Sequence, residues 1–292
     1  MSLVVAAIHD GDRITMVSDT KLSFFDRDGH ADEGRTRNTY FEALPKIFLL
    51  RPDLIVGVTG DDPDAVIGNL VDHRDDEPDA LLAHLVSVTS AGFVVAALNP
   101  VRLWSIGDGE VDERTPVGRA WSGDRAAYDV FREAWDKWPD GTDVPFLLTS
   151  SMQFLTSFGP VSSVGGFTLT AANHGDGFRF QPWSNFVGPS YLQLGAVEVS
   201  GEGTTLRMSV PPGGDSTTHQ VHVMPGEDPT RGALAILIPQ TGIGLLFRHQ
   251  RPSEPLKLEA STPQELVAAA AQASGEVLIA AAPPPGFPLA MT

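Results

Sequence analysis

Strand-sized segments that are apolar at successive positions, not only at alternate ones, constrain this 292-residue chain more than any other feature. Leu3 to Ile8 is one such run, and Lys46 to Leu50, Leu54 to Thr59, Phe93 to Leu98 and Val101 to Ile106 carry the same character. A strand with no wet face must be covered on both sides. The first of these runs starts at the third residue, so the chain begins in the core and not in a tail. It is joined to Ile14 to Asp19 by the turn-forming stretch His9-Asp10-Gly11-Asp12-Arg13, which reads as a hairpin. A second hairpin turns at Arg51-Pro52-Asp53 and a third at Asn99-Pro100, and the polar stretch Asp26 to Ala43 before the second is a candidate flap.

Helical spacing fills the gaps between hairpins. After Asp61-Asp62-Pro63-Asp64, the residues Val66, Ile67, Leu70 and Val71 share one face, and after Pro78 so do Leu81, Leu82, Leu85 and Val86. Ala127, Val130, Phe131, Ala134 and Trp135 predict a third helix, Val144 to about Ser157 a fourth, and strands follow at Val164 to Ala172 and Gly177 to Gln181. The order of strands, helix pair, strands, helix pair, strands predicts an α+β fold: a four-layer αββα sandwich over residues 1–182, with two stacked sheets between helical layers. From 183 to 292 the texture is Gly- and Pro-rich. Short strands are expected near Gly195 to Val199, Thr205 to Val210, His219 to Met224, Leu234 to Ile238 and Ile243 to Phe247. One helix, about Thr262 to Ala273, precedes a strand at Val277 to Ala282 and a proline-rich tail. This second segment reads as a mainly β extension.

Composition narrows the chemistry. With no cysteine there is no disulfide, no thiolate metal site and no thiol nucleophile. The 37 acids against 20 bases leave a formal charge of -17, a field that repels nucleic-acid phosphate and anionic lipid, so neither is an expected partner. No apolar run approaches the roughly 20 residues that cross a bilayer, and no secretory signal pattern opens the chain, so a cytosolic location is expected. His219 and His222 stand three apart on an expected strand and therefore face opposite ways, and no metal is expected. His9 and His174, in hairpin turns, are expected to face solvent. Glycine pairs such as Gly165-Gly166 lack the strand-glycine-helix order of a phosphate cradle, and no cofactor is expected.

The second residue carries the remaining possibility. If Met1 is removed, Ser2 becomes the first residue, with an amine and a hydroxyl together. An α-amine titrating near pH ~7.7–8.0 can act as general base for its own hydroxyl. A nearby lysine cation disfavours protonation of that amine, and an aspartate keeps the lysine charged and oriented.

On these residues the chain resembles the proteasome β-subunit and its HslV-type relatives, in the N-terminal-nucleophile hydrolase family. The matching pieces are Ser2, Asp19 in Val17-Ser18-Asp19-Thr20-Lys21, Lys46 in Pro45-Lys46-Ile47-Phe48, and Gly60 in Val56-Gly57-Val58-Thr59-Gly60-Asp61. Trp121-Ser122-Gly123 before a helix resembles the family's serine-glycine element. The resemblance implies Ser2 as nucleophile and base, Lys46 as electrostatic tuner, Asp19 as its partner, the Gly60 amide as oxyanion donor and Ser122 as support for the nucleophile. Val58 and Thr59 would belong to the substrate pocket, Val58 at its floor. It further implies amide-bond hydrolysis of a peptide or an acylated small molecule, and a homo-oligomer, with a ring as one form. The chain departs from the pattern with serine in place of threonine, and with Val161 where the family has an aspartate. Two other functions fit the sequence: a catalytically silent subunit that builds an assembly or docks a partner, and a scaffold whose 183–292 extension binds a ligand.

Overall fold

The computed structural model describes residues 2–21, 43–60, 63–158, 161–173, 175, 177–189, 198–200, 203–205, 216–228, 232–248 and 254–281. The stretch expected to form a flap, apart from its last residue Ala43, together with His174 and the proline-rich tail, lies outside them, as does the expected strand Thr205 to Val210 beyond its first residue.

Mixed α/β structure with antiparallel sheets and five helices is seen among the described residues. The first hairpin joins β1 (Leu3–His9) to β2 (Arg13–Ser18), with Val4 opposite Ser18 and Ile8 opposite Ile14. Its turn places Asp10 at φ 49° and Gly11 at φ 86°, the left-handed pair that an Asp-Gly turn supplies cheaply. With β8 (Arg119–Gly123), β9 (Leu169–Asn173) and β10 (Phe178–Phe180), these strands make a sheet in the order β10-β9-β2-β1-β8. A second sheet runs β3 (Ile47–Arg51), β4 (Leu54–Gly60), β5 (Ala91–Leu98), β6 (Val101–Gly107) and β7 (Glu110–Glu113) in chain order.

The helices α1 (Pro63–Asp72) and α2 (Pro78–Val86) each open on a proline at the first position, where its missing N–H costs nothing. Helix α3 (Arg125–Trp135) is capped by Asp124, whose carboxylate accepts from the Ala126 and Ala127 amides, and α4 (Val144–Phe158) follows Asp143, which accepts from the Phe146 amide.

Alternation along the strands distributes the core. The odd residues of β1, Leu3, Val5 and Ala7, pack with Ala127, Phe131, Leu148 and Met152 from α3 and α4. The even residues Val4 and Ala6 join Ile14 and Met16 in a cluster shared with Ile55, Val94 and Leu103 of the second sheet. On the other face of that sheet, Val56, Val58, Phe93 and Trp104 pack against Ile67, Leu70, Leu81 and Leu85 of α1 and α2. Each such side chain, fully withdrawn from water, contributes about 1.5–3 kcal/mol.

A third sheet is built from β11 (Trp183–Pro189), β14 (Ser216–Pro225), β15 (Leu234–Ile238), β16 (Ile243–Phe247) and β17 (Leu256–Glu259), in that order, while β12 (Glu198–Ser200) and β13 (Gly203–Thr205) pair only with each other. One face of the third sheet sends Val221, Ile236, Leu245 and Phe247 into the same cluster as Val4 and Ile47. Its other face holds Leu266 and Ala270 of α5 (Pro263–Ser274), a helix capped by Thr262, whose hydroxyl accepts from the Glu265 amide, while the Glu265 carboxylate accepts from the Ser261 amide.

Four expectations change. The strand expected from Val164 begins only at Leu169, and residues 164–168 are irregular. The span 277–282 is no strand over its described part; one isolated bridge joins Leu278 to Gly226, and Val277 and Ile279 stay exposed. Strands β7, β11 and β17 had no apolar run to announce them. His9 is not solvent-facing: its side chain is 6% exposed, with Nε2 3.0 Å from the Thr15 hydroxyl and Nδ1 3.3 Å from Asp10.

Candidate active site

The residues singled out at the chain start and at positions 19 and 46 converge where β1, β2 and β3 begin or end. Asp19 follows the last residue of β2 and is fully buried, and Lys46 precedes β3 with 4% of its surface exposed. Lys46 Nζ donates to Asp19 Oδ2 at 2.7 Å and to the Lys21 carbonyl at 2.8 Å. The same carboxylate accepts from three backbone amides: Leu3 at 3.0 Å on Oδ1, and Lys21 at 3.1 Å and Gly165 at 3.3 Å on Oδ2. A buried ion pair persists when its remaining lone pairs and protons are met in this way. Burial is the largest influence on the Lys46 ammonium and lowers its pKa from the ordinary 10.5; the charge and hydrogen bond of Asp19 push it back up, and the Lys21 charge lowers it further. The outcome is a lysine below its usual range. Lys21, half-buried, is lowered too, again by burial against the pull of Asp19, and its Nζ donates to the Ser162 carbonyl at 2.6 Å.

Ser2 lies immediately before β1 and is 4% exposed. It shares parity with Val4 and Ala6, so the strand directs it to the side between the two sheets. Asp19 N donates to the Leu3 carbonyl and Leu3 N to the Asp19 carboxylate, which ties the residue after Ser2 to the carboxylate that also holds Lys46. The Ser2 carbonyl accepts from the Asp124 amide at 2.8 Å. Among the described residues the Ser2 hydroxyl makes no hydrogen bond.

Ser122 lies opposite Val4 in the sheet, and its hydroxyl is 2.7 Å from that of Thr59, a contact spanning from β8 in one sheet to β4 in the other. Thr59 also donates to the Gly92 carbonyl at 3.3 Å. Glycine keeps this space open: a Cβ on Gly92 would strike the Ser122 hydroxyl, and one on Gly123, at φ +115°, would strike the Ser2 carbonyl. Val58 faces the other way from Thr59, into the cluster beneath α1 and α2, with 7% exposure. Gly60 ends β4, exposed, at φ +128°, with the space a Cβ would need filled by the Ser90 carbonyl.

The geometry adds Asp124 and Ser163, which the spacing of motifs did not reveal, and gives Gly165 of the Val164-Gly165-Gly166 run a bonding role. Asp124 and Ser163 are joined by a 2.7 Å hydrogen bond from the Ser163 hydroxyl to Asp124 Oδ2, and Gly165 supplies both an amide to Asp19 and a carbonyl to the Thr20 and Lys21 amides. The only sequence signal for Asp124 was its place as a helix cap.

No family model matches this chain, and no curated protein matches it. Among solved structures the chain is similar to eukaryotic HslV from Trypanosoma brucei, with 13% identical residues and a TM-score of 0.42, covering 58% of this chain and 98% of that one.

Proposed function

We propose that the chain is an amide-bond hydrolase whose nucleophile is Ser2, exposed when Met1 is removed, on a four-layer αββα framework. One observation carries this reading: the buried Lys46–Asp19 pair, which through the Leu3 amide is fastened to the residue next to Ser2. A lysine kept in a dry place, bonded to a carboxylate, favours a neutral amine nearby and hence a base at neutral pH. The Ser2 hydroxyl would attack the substrate carbonyl, forming an ester while the C–N bond breaks. Its proton passes through the α-amine to the leaving nitrogen, and water then hydrolyses the ester. The Gly60 amide is the proposed oxyanion donor, Ser122 with Thr59 the hydroxyl pair that supports the nucleophile, and Val58 the residue beneath the pocket. A peptide or an acylated small molecule is the proposed substrate.

The test is an intact mass followed by reaction with an electrophilic β-lactone. The expected result is a chain beginning at Ser2 that gains one probe, with the adduct on Ser2 and lost in Ser2→Ala. Retained Met1 together with no adduct would end the proposal.

A second reading, a silent subunit that docks a partner or further copies of itself, draws on α4. That helix carries no acid or base over its 15 residues, in a chain of charge -17, and leaves Phe146 half-exposed with Trp138 edge-on at 5.1 Å. Light scattering that shows a large particle, with no probe uptake, would favour it.

A further inference from the structure

A closed circuit of hydrogen bonds surrounds the start of β1. The Ser2 carbonyl accepts from the Asp124 amide at 2.8 Å, Asp124 Oδ2 accepts from the Ser163 hydroxyl at 2.7 Å, Gly165 N donates to Asp19 Oδ2 at 3.3 Å, and Asp19 Oδ1 accepts from Leu3 N at 3.0 Å. Two acidic residues therefore hold the Ser2–Leu3 pair, Asp19 through its carboxylate on the Leu3 amide and Asp124 through its backbone amide on the Ser2 carbonyl. Asp19 has Lys46 as counter-ion. Asp124 makes no ion pair among the described residues, yet its pKa lies below the ordinary 3.8. Burial works against its ionisation and is outweighed by the Ser163 hydroxyl and the Ala127 and Ala126 amides. An anion stands beside the residue whose amine the chemistry needs, with Oδ1 taking two helix amides and Oδ2 one hydroxyl, so Oδ2 keeps acceptor capacity.

We infer that Asp124 is a positioning residue for the α-amine of Ser2: its carboxylate holds the ammonium that forms when Ser2 becomes the first residue, and so sets the pH at which that amine turns into a base. The inference rests on the reading that Ser2 becomes the amino terminus. Asp124 favours the charged amine and Lys46 disfavours it, so the two set its titration in opposite directions. A residue that served only as helix cap would need an oxygen acceptor and no charge, and asparagine supplies that equally well.

The experiment therefore uses asparagine. In protein beginning at Ser2, the rate of Ser2 N-acetylation by trace acetic anhydride is followed against pH by mass spectrometry, which reads the amine whether or not the protein is a hydrolase. Asp124→Asn should lower the midpoint by about half a unit or more, while Asp129→Asn, an exposed acid on the same helix, should leave it in place. Asp124→Ser keeps a capping oxygen by a different side chain and should reproduce the shift. An unmoved midpoint in both Asp124 variants would overturn the inference. A wild-type protein that takes up no β-lactone would instead count against the hydrolase, and the amine titration would still decide the role of Asp124.

Discussion

Asp19 and Lys46, at the ends of strands in the first two sheets, are as buried as Gln220 and His222 on β14 in the third, and the two places treat polar atoms oppositely. The Asp19 carboxylate accepts from Lys46 and three backbone amides. Among the described residues, Gln220 Nε2 and His222 Nδ1 have no hydrogen-bond partner, nor does the hydroxyl of Ser184 on the neighbouring strand. A buried polar atom left unpaired costs about 1–3 kcal/mol, and the third sheet tolerates this because apolar faces flank it: one merges with the main cluster through Ile236 and Phe247, and the other holds α5. The first place satisfies its buried charges by bonding, although the neighbouring Ser18 hydroxyl has no partner among the described residues. The second is held by its backbone ladders and by apolar contact on both faces. Full satisfaction of a buried charge is expected where geometry matters to chemistry.

The sharpest way to break this contrast is Asp19→Ala. It leaves the Lys46 ammonium buried without its counter-ion and frees the Leu3, Lys21 and Gly165 amides, and a loss of about 3–5 kcal/mol is expected in urea denaturation, along with loss of any Ser2 labelling. A loss below about 1 kcal/mol, the range of an exposed pair, would show that the pair is not the structural pivot described above. Next in size is Ile236→Ala, which opens a cavity where the third sheet joins the main cluster and should cost about 2–5 kcal/mol in one cooperative transition. Two separate transitions would show that the third sheet stands apart from the first two.

The smallest effect concerns acid. Burial lowers the His222 pKa from its ordinary 6.5 to about 4, beside the Trp183 ring at 3.8 Å. Between those two values the unfolded chain binds more protons than the folded one, so stability is fully present above pH 6.5 and falls as pH drops toward 4. His222→Leu should flatten that slope in thermal melts across the window. An unchanged slope would place the acid sensitivity elsewhere.

Much of the strand and helix order was legible because it follows periodicity. The hairpin at Asp10-Gly11, the turn at Asn99-Pro100 and the four helices before residue 160 all have local causes in turn chemistry, capping residues and apolar spacing. What was missed lacks such causes. Strand β7, Glu-Val-Asp-Glu, is exposed throughout and exists because β6 offers it an edge, and β17 pairs with β16 on the strength of four residues. The expected strand at 277–282 had the right composition, yet only Leu278 is bridged.

The candidate site divides in the same way. The lysine and the aspartate were read as a pair through a family resemblance, and composition and spacing alone do not bring together residues 27 apart. Asp124 and Ser163 were not read at all. Their bond spans 39 residues and depends on how the end of β8 and the loop before β9 come to rest beside Ser2.

By itself the sequence determined that the chain starts in a core, that its strands need cover on both faces and that any nucleophile must be oxygen or nitrogen, because burial pattern and residue type are local properties. Only the tertiary structure decided which polar groups meet. Four donors reach one buried carboxylate, and a second carboxylate closes the circuit around Ser2, because hydrogen bonds of about 3 Å form only where packed sheets bring distant segments into register.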